Sequence, residues 1–491
     1  MRDIPACHVF SVGSQEYAYD LHTQNLLALE PELASLLRNE LRNELRGQDG
    51  ASQAARDALN RARKDDGLFL NARPTLVPWR QEPDANALQG IQHLVLTVTE
   101  ACNLRCTYCM HGSDLNWVRD HGPAQMSVAT ALQAVEYYLT RQNPARTPVI
   151  SFYGGEALLN FSVIKAVVAA VAEHPRGADT VFAIDTNGVL LAEEMIAFIL
   201  QEKLFLQISI DGPAEIHDRH RVDVGGGPSF DRILANIDTM LSLDPTVADR
   251  LSLVMTLAPP VDLFASAELF NPFPPYVKHG ITKQPNLTVN FANLNGQGWA
   301  KGQEQTAGLP PINEQMKQAR AMYLEALAEG RRFEIGPVIR ALFEPELIKF
   351  YNRSRAPLGD TFVPGGNCRP GQRKLHVAVD GCIHPCERTG VSMPLGDLAS
   401  GVELSRVRAL HRNFHEAVSE RCGQCWALRL CRLCFAVQAE HVDLAKDAFP
   451  VPEAICEQVR ARAEMTMKMM VRVLEMPIES RQWLDKSEIS R

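Results

Sequence analysis

The sequence lacks what a membrane or secreted protein would carry. No stretch of its 491 residues approaches the ~20 uninterrupted apolar positions of a bilayer-spanning helix. The first residues, Met1-Arg2-Asp3-Ile4-Pro5, hold no apolar run of the signal-peptide kind. A basic excess is missing too. Lys and Arg number 50 against 58 Asp and Glu, a formal charge of −8, which argues against a non-specific nucleic-acid binder. Without a secretory context, the 12 cysteines do not read as a disulfide framework. They point to metal or redox chemistry in a reducing, cytoplasmic setting. The rest is ordinary: 46% hydrophobic and 22% charged residues, able to bury cores. The length suggests roughly two to four domains.

The cysteines are not scattered. Cys102, Cys106 and Cys109 are spaced C-x3-C-x2-C, eight more fall between Cys368 and Cys456, and Cys7 stands alone with no assigned role. His93 to Thr99 reads as a short buried strand because Leu94, Val95, Leu96 and Val98 are apolar and partly β-branched. Glu100 and Ala101 then lead into a loop, where three thiolates can converge on one soft metal centre. Zinc would need a fourth ligand, and only His111 is near. A [4Fe–4S] cluster accepts three cysteines and leaves one iron open to a small molecule. Small buried residues, or part of a zinc site, are the bland alternatives.

This motif, with Tyr108 before its last cysteine, resembles the hallmark of the radical S-adenosylmethionine (SAM) enzymes. The resemblance implies that SAM chelates the open iron. One electron then releases a 5′-deoxyadenosyl radical that takes hydrogen from a substrate. From Gly90 the chain alternates strands and helices, the signature of a parallel β/α sheet. Strands are expected at Val149 to Tyr153, Val181 to Ile184, Phe205 to Ile210, Leu251 to Leu257 and Leu287 to Phe291. With the strand before the cysteines they make six, a partial (β/α)6 TIM-like barrel with functional groups at its C-terminal strand ends. Gly154-Gly155-Glu156 lets backbone approach a ligand and offers a carboxylate to an ammonium. It matches the family motif for the amino group of SAM. Ser209 and Asp211 resemble the family's ribose and carboxylate contacts, Arg221 could pair with the cofactor carboxylate, and Asn187 touches the cofactor or shapes its turn. His217 and Asp218 read as a structural loop network.

Before the barrel, residues 1–88 read as a small α+β domain. Its strands are His8 to Val12, Glu16 to Leu21 and Asn25 to Leu29; one helix runs from Pro31 past Leu45 to Gly47 and another from Ser52 to Lys64. It resembles the peptide-recognition domain of peptide-modifying radical enzymes, which holds a leader segment by strand addition. A packing cap is the alternative. Asn71 to Gly90 reads as a linker, 89–300 as the barrel, 301–360 as a helical bridge and 361–491 as a cysteine-rich domain.

That last region resembles the SPASM extension, which binds two auxiliary [4Fe–4S] clusters, although its final spacing is x2 rather than x3. The resemblance assigns Cys422, Cys425, Cys431 and Cys456 to an outer cluster. It assigns Cys368, Cys386 and Cys434 to an inner one, with Cys382 as fourth ligand or the site left open for a substrate thiolate. A zinc knuckle is the alternative. Glu387, beside Cys386, is a candidate base. The expectation is therefore a peptide or protein maturase with three [4Fe–4S] clusters and SAM. It would form an intrapeptide thioether from a substrate cysteine, using a flavodoxin- or ferredoxin-like electron donor. Formylglycine formation, carbon–carbon cross-linking and a non-catalytic cluster-carrying peptide-binding module are the rivals.

Overall fold

In a computed structural model, the protein is described at residues 5–42, 51–79, 90–112, 119–292, 309–366, 368–441 and 450–485. Two compact units are each assembled from separated stretches. One contains Met1–Glu82, Phe343–Cys368 and His411–Arg491; the other contains Pro83–Leu342 and Arg369–Leu410. These units do not follow the contiguous spans 1–88, 89–300, 301–360 and 361–491.

The strands, in chain order, are β1 Cys7–Val12, β2 Gln15–Asp20, β3 Leu26–Leu29, β4 Thr75–Leu76, β5 His93–Thr99, β6 Val149–Gly154, β7 Val181–Thr186 and β8 Phe205–Ser209. They continue as β9 Leu251–Leu257, β10 Asn286–Phe291, β11 Thr361–Phe362, β12 Lys374–Val377, β13 Cys382–His384, β14 Gly396–Asp397 and β15 Gly401–Val402.

In the first unit, β1-β2-β3 form an antiparallel meander, so β1 and β3 are its edges. The helices Pro31–Arg42 and Gln53–Asp65 supply Leu36, Leu37 and Leu59 to its core, along with Cys7 and Phe69. Ser52 caps the second helix, accepting from the Ala55 N–H. Leu45 and Gly47, where the first helix was expected to end, lie outside the described residues. The stretch read as a linker from Asn71 is folded as far as Trp79. β4 pairs with β11, and Trp79 is buried and stacked on Phe414 at 5.4 Å. An indole is large enough to fix an otherwise polar segment by burial.

The second unit holds the sheet that positions the site, ordered β10-β9-β8-β7-β6-β5-β12-β13-β14-β15. The six expected strands are present and parallel from β5 to β10. β12 adds parallel to β5, and the hairpin strands after it continue antiparallel. Strands of the cysteine-rich stretch thus extend the barrel sheet, pairing ladder groups that an edge would leave exposed. That is why 369–410 belongs with the barrel.

Alternation along each strand separates two faces. Leu94, Leu96, Ile150, Phe152, Ile184, Leu206 and Ile208 are buried on one. The other is polar, with cross-strand pairs His93 Nε2 to Ser151 Oγ (2.7 Å), Thr97 Oγ1 to His376 Nε2 (2.8 Å) and Gln207 Nε2 to Asp185 Oδ1 (2.6 Å). Ser127 caps the helix Val128–Leu139, its side chain accepting from the Thr130 N–H. No helix among the described residues is long and apolar enough to cross a membrane.

Candidate functional site

The three-cysteine loop is docked by backbone on both sides. Arg105 N–H donates to Val222 O at 2.7 Å, Thr107 N–H to His220 O at 3.0 Å, and Val224 N–H to Asn103 O at 3.1 Å. Opposite, Gly155 N–H donates to Thr99 O at 3.0 Å and Glu156 N–H to Ala101 O at 2.8 Å. These contacts explain the glycines. Gly154 has φ +148°, and a Cβ there would stand 2.2 Å from Thr99 O; one on Gly155 would stand 2.4 Å from Ala101 O. The sequence reading expected a close approach to a ligand at Gly154-Gly155; the approach the structure shows is to the root of the cysteine loop.

Glu156 is 1% exposed. Its carboxylate accepts from Thr186 Oγ1 and the Asn187 N–H, each at 2.7 Å, and from the Leu158 N–H at 3.1 Å. Burial pushes its pKa up while these donors pull it down. The group expected to meet an ammonium therefore ties β6 to the end of β7. Replacing Thr186 with valine removes one donor from a buried carboxylate and should cost about 1–3 kcal/mol in a denaturant titration. Asn187 reaches back to the loop, donating to Asn103 Oδ1 at 2.8 Å and to Cys102 Sγ at 3.9 Å, while its Oδ1 accepts from the Val189 N–H.

Arg221 and Asp211 form a buried ion pair, Nε to Oδ2 3.1 Å. Asp211 also accepts from Tyr108 OH and, at 2.9 Å, from the Thr256 N–H. The guanidinium lies 5.7 Å from the Tyr108 ring centroid and donates to Cys106 Sγ at 3.8 Å. The arginine expected to meet a cofactor carboxylate is paired with Asp211 here. His217 and Asp218 form the loop network expected of them: His217 bonds Ser229, and Asp218 accepts from the Ser229 and Phe230 N–H groups. Ser209 ends β8.

The donor set suits a thiolate-held cluster. Cys102 Sγ accepts from the Leu104 N–H at 3.4 Å, besides Asn187, and Cys106 has the Arg221 cation. Burial raises all three thiols, Cys102 to about 11 and Cys106 to about 12, and each of these two also feels its neighbouring cysteines. In the first unit Cys422, Cys425, Cys431 and Cys456 gather the same way. Burial lifts Cys422 to about 12, with Cys431, Cys425 and Cys456 adding to the rise. Cys368 and Cys434 belong to the first unit, while Cys382 and Cys386 lie in the second. The Cys382 thiol donates to Gly396 O at 3.5 Å, and Cys386 is buried. Among the described residues, no three His, Cys, Asp or Glu groups are arranged to hold a single metal ion. A cubane spreads its ligands over four irons.

A small cavity of about 20 Å³ opens at the C-terminal ends of β5 and β6, lined by Thr97, Thr99, Tyr153, Gly154, Gly155, His111, His376, Arg119 and Glu387, among others. Glu387 thus reaches the same cavity as the glycine pair, and Lys374 Nζ holds its carboxylate at 3.0 and 3.1 Å. The sequence reading missed Lys374 and Asp185. The signal available was alternation, which places Asp185 on the polar face of β7.

Residues 96–257 match the family described as Radical SAM superfamily. An uncharacterized protein of Methanocaldococcus jannaschii is 35% identical over 29% of this chain and 46% of its own. The serine-type anaerobic sulfatase-maturating enzyme of Bacteroides thetaiotaomicron is 29% identical over 30% of this chain and 36% of its own. The chain thus spans less than half the length of these two curated relatives. The solved structure of anSMEcpe with bound AdoMet and Cp18Cys peptide aligns over 81% of this chain and all of that one, with TM-score 0.54 and 16% identity, a likeness of fold. The cysteine loop and the strand-end glycines lie within residues 96–257, the stretch that is similar to the Radical SAM superfamily.

Proposed function

We propose that the chain is a maturase that modifies a peptide or protein. The observation that carries this is a cavity shared by the strand ends that lead into the cysteine loop, the Gly154–Gly155 pair and Glu387. When bound through a [4Fe–4S] cluster on the three cysteines, SAM supplies a 5′-deoxyadenosyl radical that takes hydrogen from the substrate. The residues around it hold the loop, orient the substrate and exclude water. Leu104 N–H, Asn187 and Arg221 present donors to the sulfurs. Tyr108 and Asp211 fix the arginine. The outer quartet Cys422, Cys425, Cys431 and Cys456 would hold an auxiliary cluster that accepts the surplus electron. The edge strands β1 and β3 of the meander suit strand addition by a leader segment. The free cysteines suit the cytoplasm, where a flavodoxin- or ferredoxin-like protein supplies reducing electrons.

The bond formed is proposed to be a thioether from a substrate cysteine to carbon. Formylglycine formation is a second reading, favoured by similarity to sulfatase-maturating enzymes of both the serine and cysteine types. Reconstituted protein given SAM and a strong reductant should release 5′-deoxyadenosine. Peptide product mass then separates the readings: a thioether keeps sulfur and loses two hydrogens, whereas formylglycine from cysteine exchanges sulfur for oxygen and also loses two hydrogens. Modification of a cysteine-free peptide to the same product would remove the thioether reading. No 5′-deoxyadenosine from the reconstituted parent would leave a binding module.

A further inference from the structure

Two carboxylates share the polar face of the sheet, and their surroundings differ. Glu387, from the hairpin after β13, is held through both oxygens by Lys374 of β12. Asp185 is the penultimate residue of β7, at the strand end where barrel sites assemble, and it receives the neutral Gln207 amide at 2.6 Å on Oδ1. Tyr153 of β6, a wall of the cavity, is partly buried and feels Glu387, Asp185 and Cys109 together. On the sheet, Asp185 of β7 is separated by β6 from β5, the strand that leads into the cluster loop, and among the described residues no cation stands at hydrogen-bond distance from its carboxylate.

We propose that Asp185 is the proton acceptor of this site, with Glu387 and Lys374 as a fixed ion pair beside it. The inference rests on the proposed function. In thioether formation the substrate C–H gives its hydrogen atom to the 5′-deoxyadenosyl radical. The S–H bond loses a proton, the C–S bond forms, and one electron leaves to an oxidised auxiliary iron–sulfur cluster. The proton goes to the Asp185 carboxylate. Burial first, then the charges of Glu387 and Glu156, raise its pKa against the opposing pull of Lys374 to about 7, the range in which a base both accepts and returns a proton. The family-implied base, Glu387, has its charge held by lysine instead.

Asp185→Asn keeps the shape and removes the base. It should still release 5′-deoxyadenosine when SAM, reductant and a cysteine-containing peptide are supplied. Cross-linked product per 5′-deoxyadenosine should fall about 10²–10⁴-fold. The parent's product ratio should rise with pH through about 7, and this limb should be absent from D185N. Asp185→Glu should restore part of the product, which a merely structural role would not require. A cofactor-free readout accompanies these. The unfolded chain ionises Asp185 from its ordinary 3.8 upward while the folded carboxyl stays protonated to about 7, so the parent's thermal stability should fall relative to D185N as pH rises between those values and level off above about 7. An unchanged product ratio in D185N, or loss of 5′-deoxyadenosine together with product, would overturn the assignment. Absence of 5′-deoxyadenosine from the parent would instead overturn the function on which it rests.

Discussion

Replacing Arg221 with methionine should lower the unfolding free energy by about 3–5 kcal/mol, because it strands the Asp211 carboxylate without its cation. Both side chains are buried, Asp211 at 2% and Arg221 at 8% exposure, so water cannot substitute for the lost partner. The Tyr108 hydroxyl and the Thr256 N–H still donate to Asp211, but neither carries charge. Changing both partners, as in Asp211→Leu with Arg221→Met, removes the stranded charge and should recover part of the loss. The Tyr108 and Thr256 donors would remain unpaired, which holds the double variant about 1–3 kcal/mol below the parent. Denaturant unfolding followed by hydrogen exchange at residues 102–109 checks both values. A cost for R221M of only about 0–1 kcal/mol, as for a surface pair, would mean that Asp211 is hydrated after all.

That pair also shows what could be read in advance. Asp211 and Arg221 were each recognisable from motif position, and so were the strand ends that carry Gly154, Asn187 and Ser209. Apolar runs of period two and their turn residues report local backbone well. Their partners were not legible. Asp211 meets Arg221 across the helix Ala214–His220, and Tyr108 across 103 positions, so the pairing depends on how the loop docks. The role of Gly154 and Gly155 was half legible: close approach was clear, but only the structure identifies Thr99 and Ala101 as the atoms approached. Lys374 was invisible for a different reason. It reaches Glu387 because β12 joins the barrel sheet beside β5, a parallel pairing across some 280 residues of chain that no local pattern announces. The same crossover makes the compact units discontinuous, where the sequence suggested domains in series.

The largest effect should come from Cys102, Cys106 and Cys109 changed together to alanine: after anaerobic reconstitution the chain should hold about four fewer irons than the parent, since each cubane carries four. SAM-dependent release of 5′-deoxyadenosine should vanish with them. The argument runs through the loop. The Cys102 sulfur is met by Leu104 and Asn187 and the Cys106 sulfur by Arg221, while the loop's backbone is held by His220, Val222, Gly155 and Glu156 through main-chain bonds that alanine leaves in place. The variant should therefore keep its fold and lose only the metal, which circular dichroism can verify. Its remaining iron reports on the cysteine-rich region. About eight irons would mean two auxiliary clusters. About four would mean that the quartet Cys422, Cys425, Cys431 and Cys456 acts alone, and an open inner site for a substrate thiolate would be gone. Changing Cys422 and Cys425 in that background should then remove the last four. Iron content equal to the parent's would show that the loop holds no cluster, and zinc in its place would make the chain a binding protein.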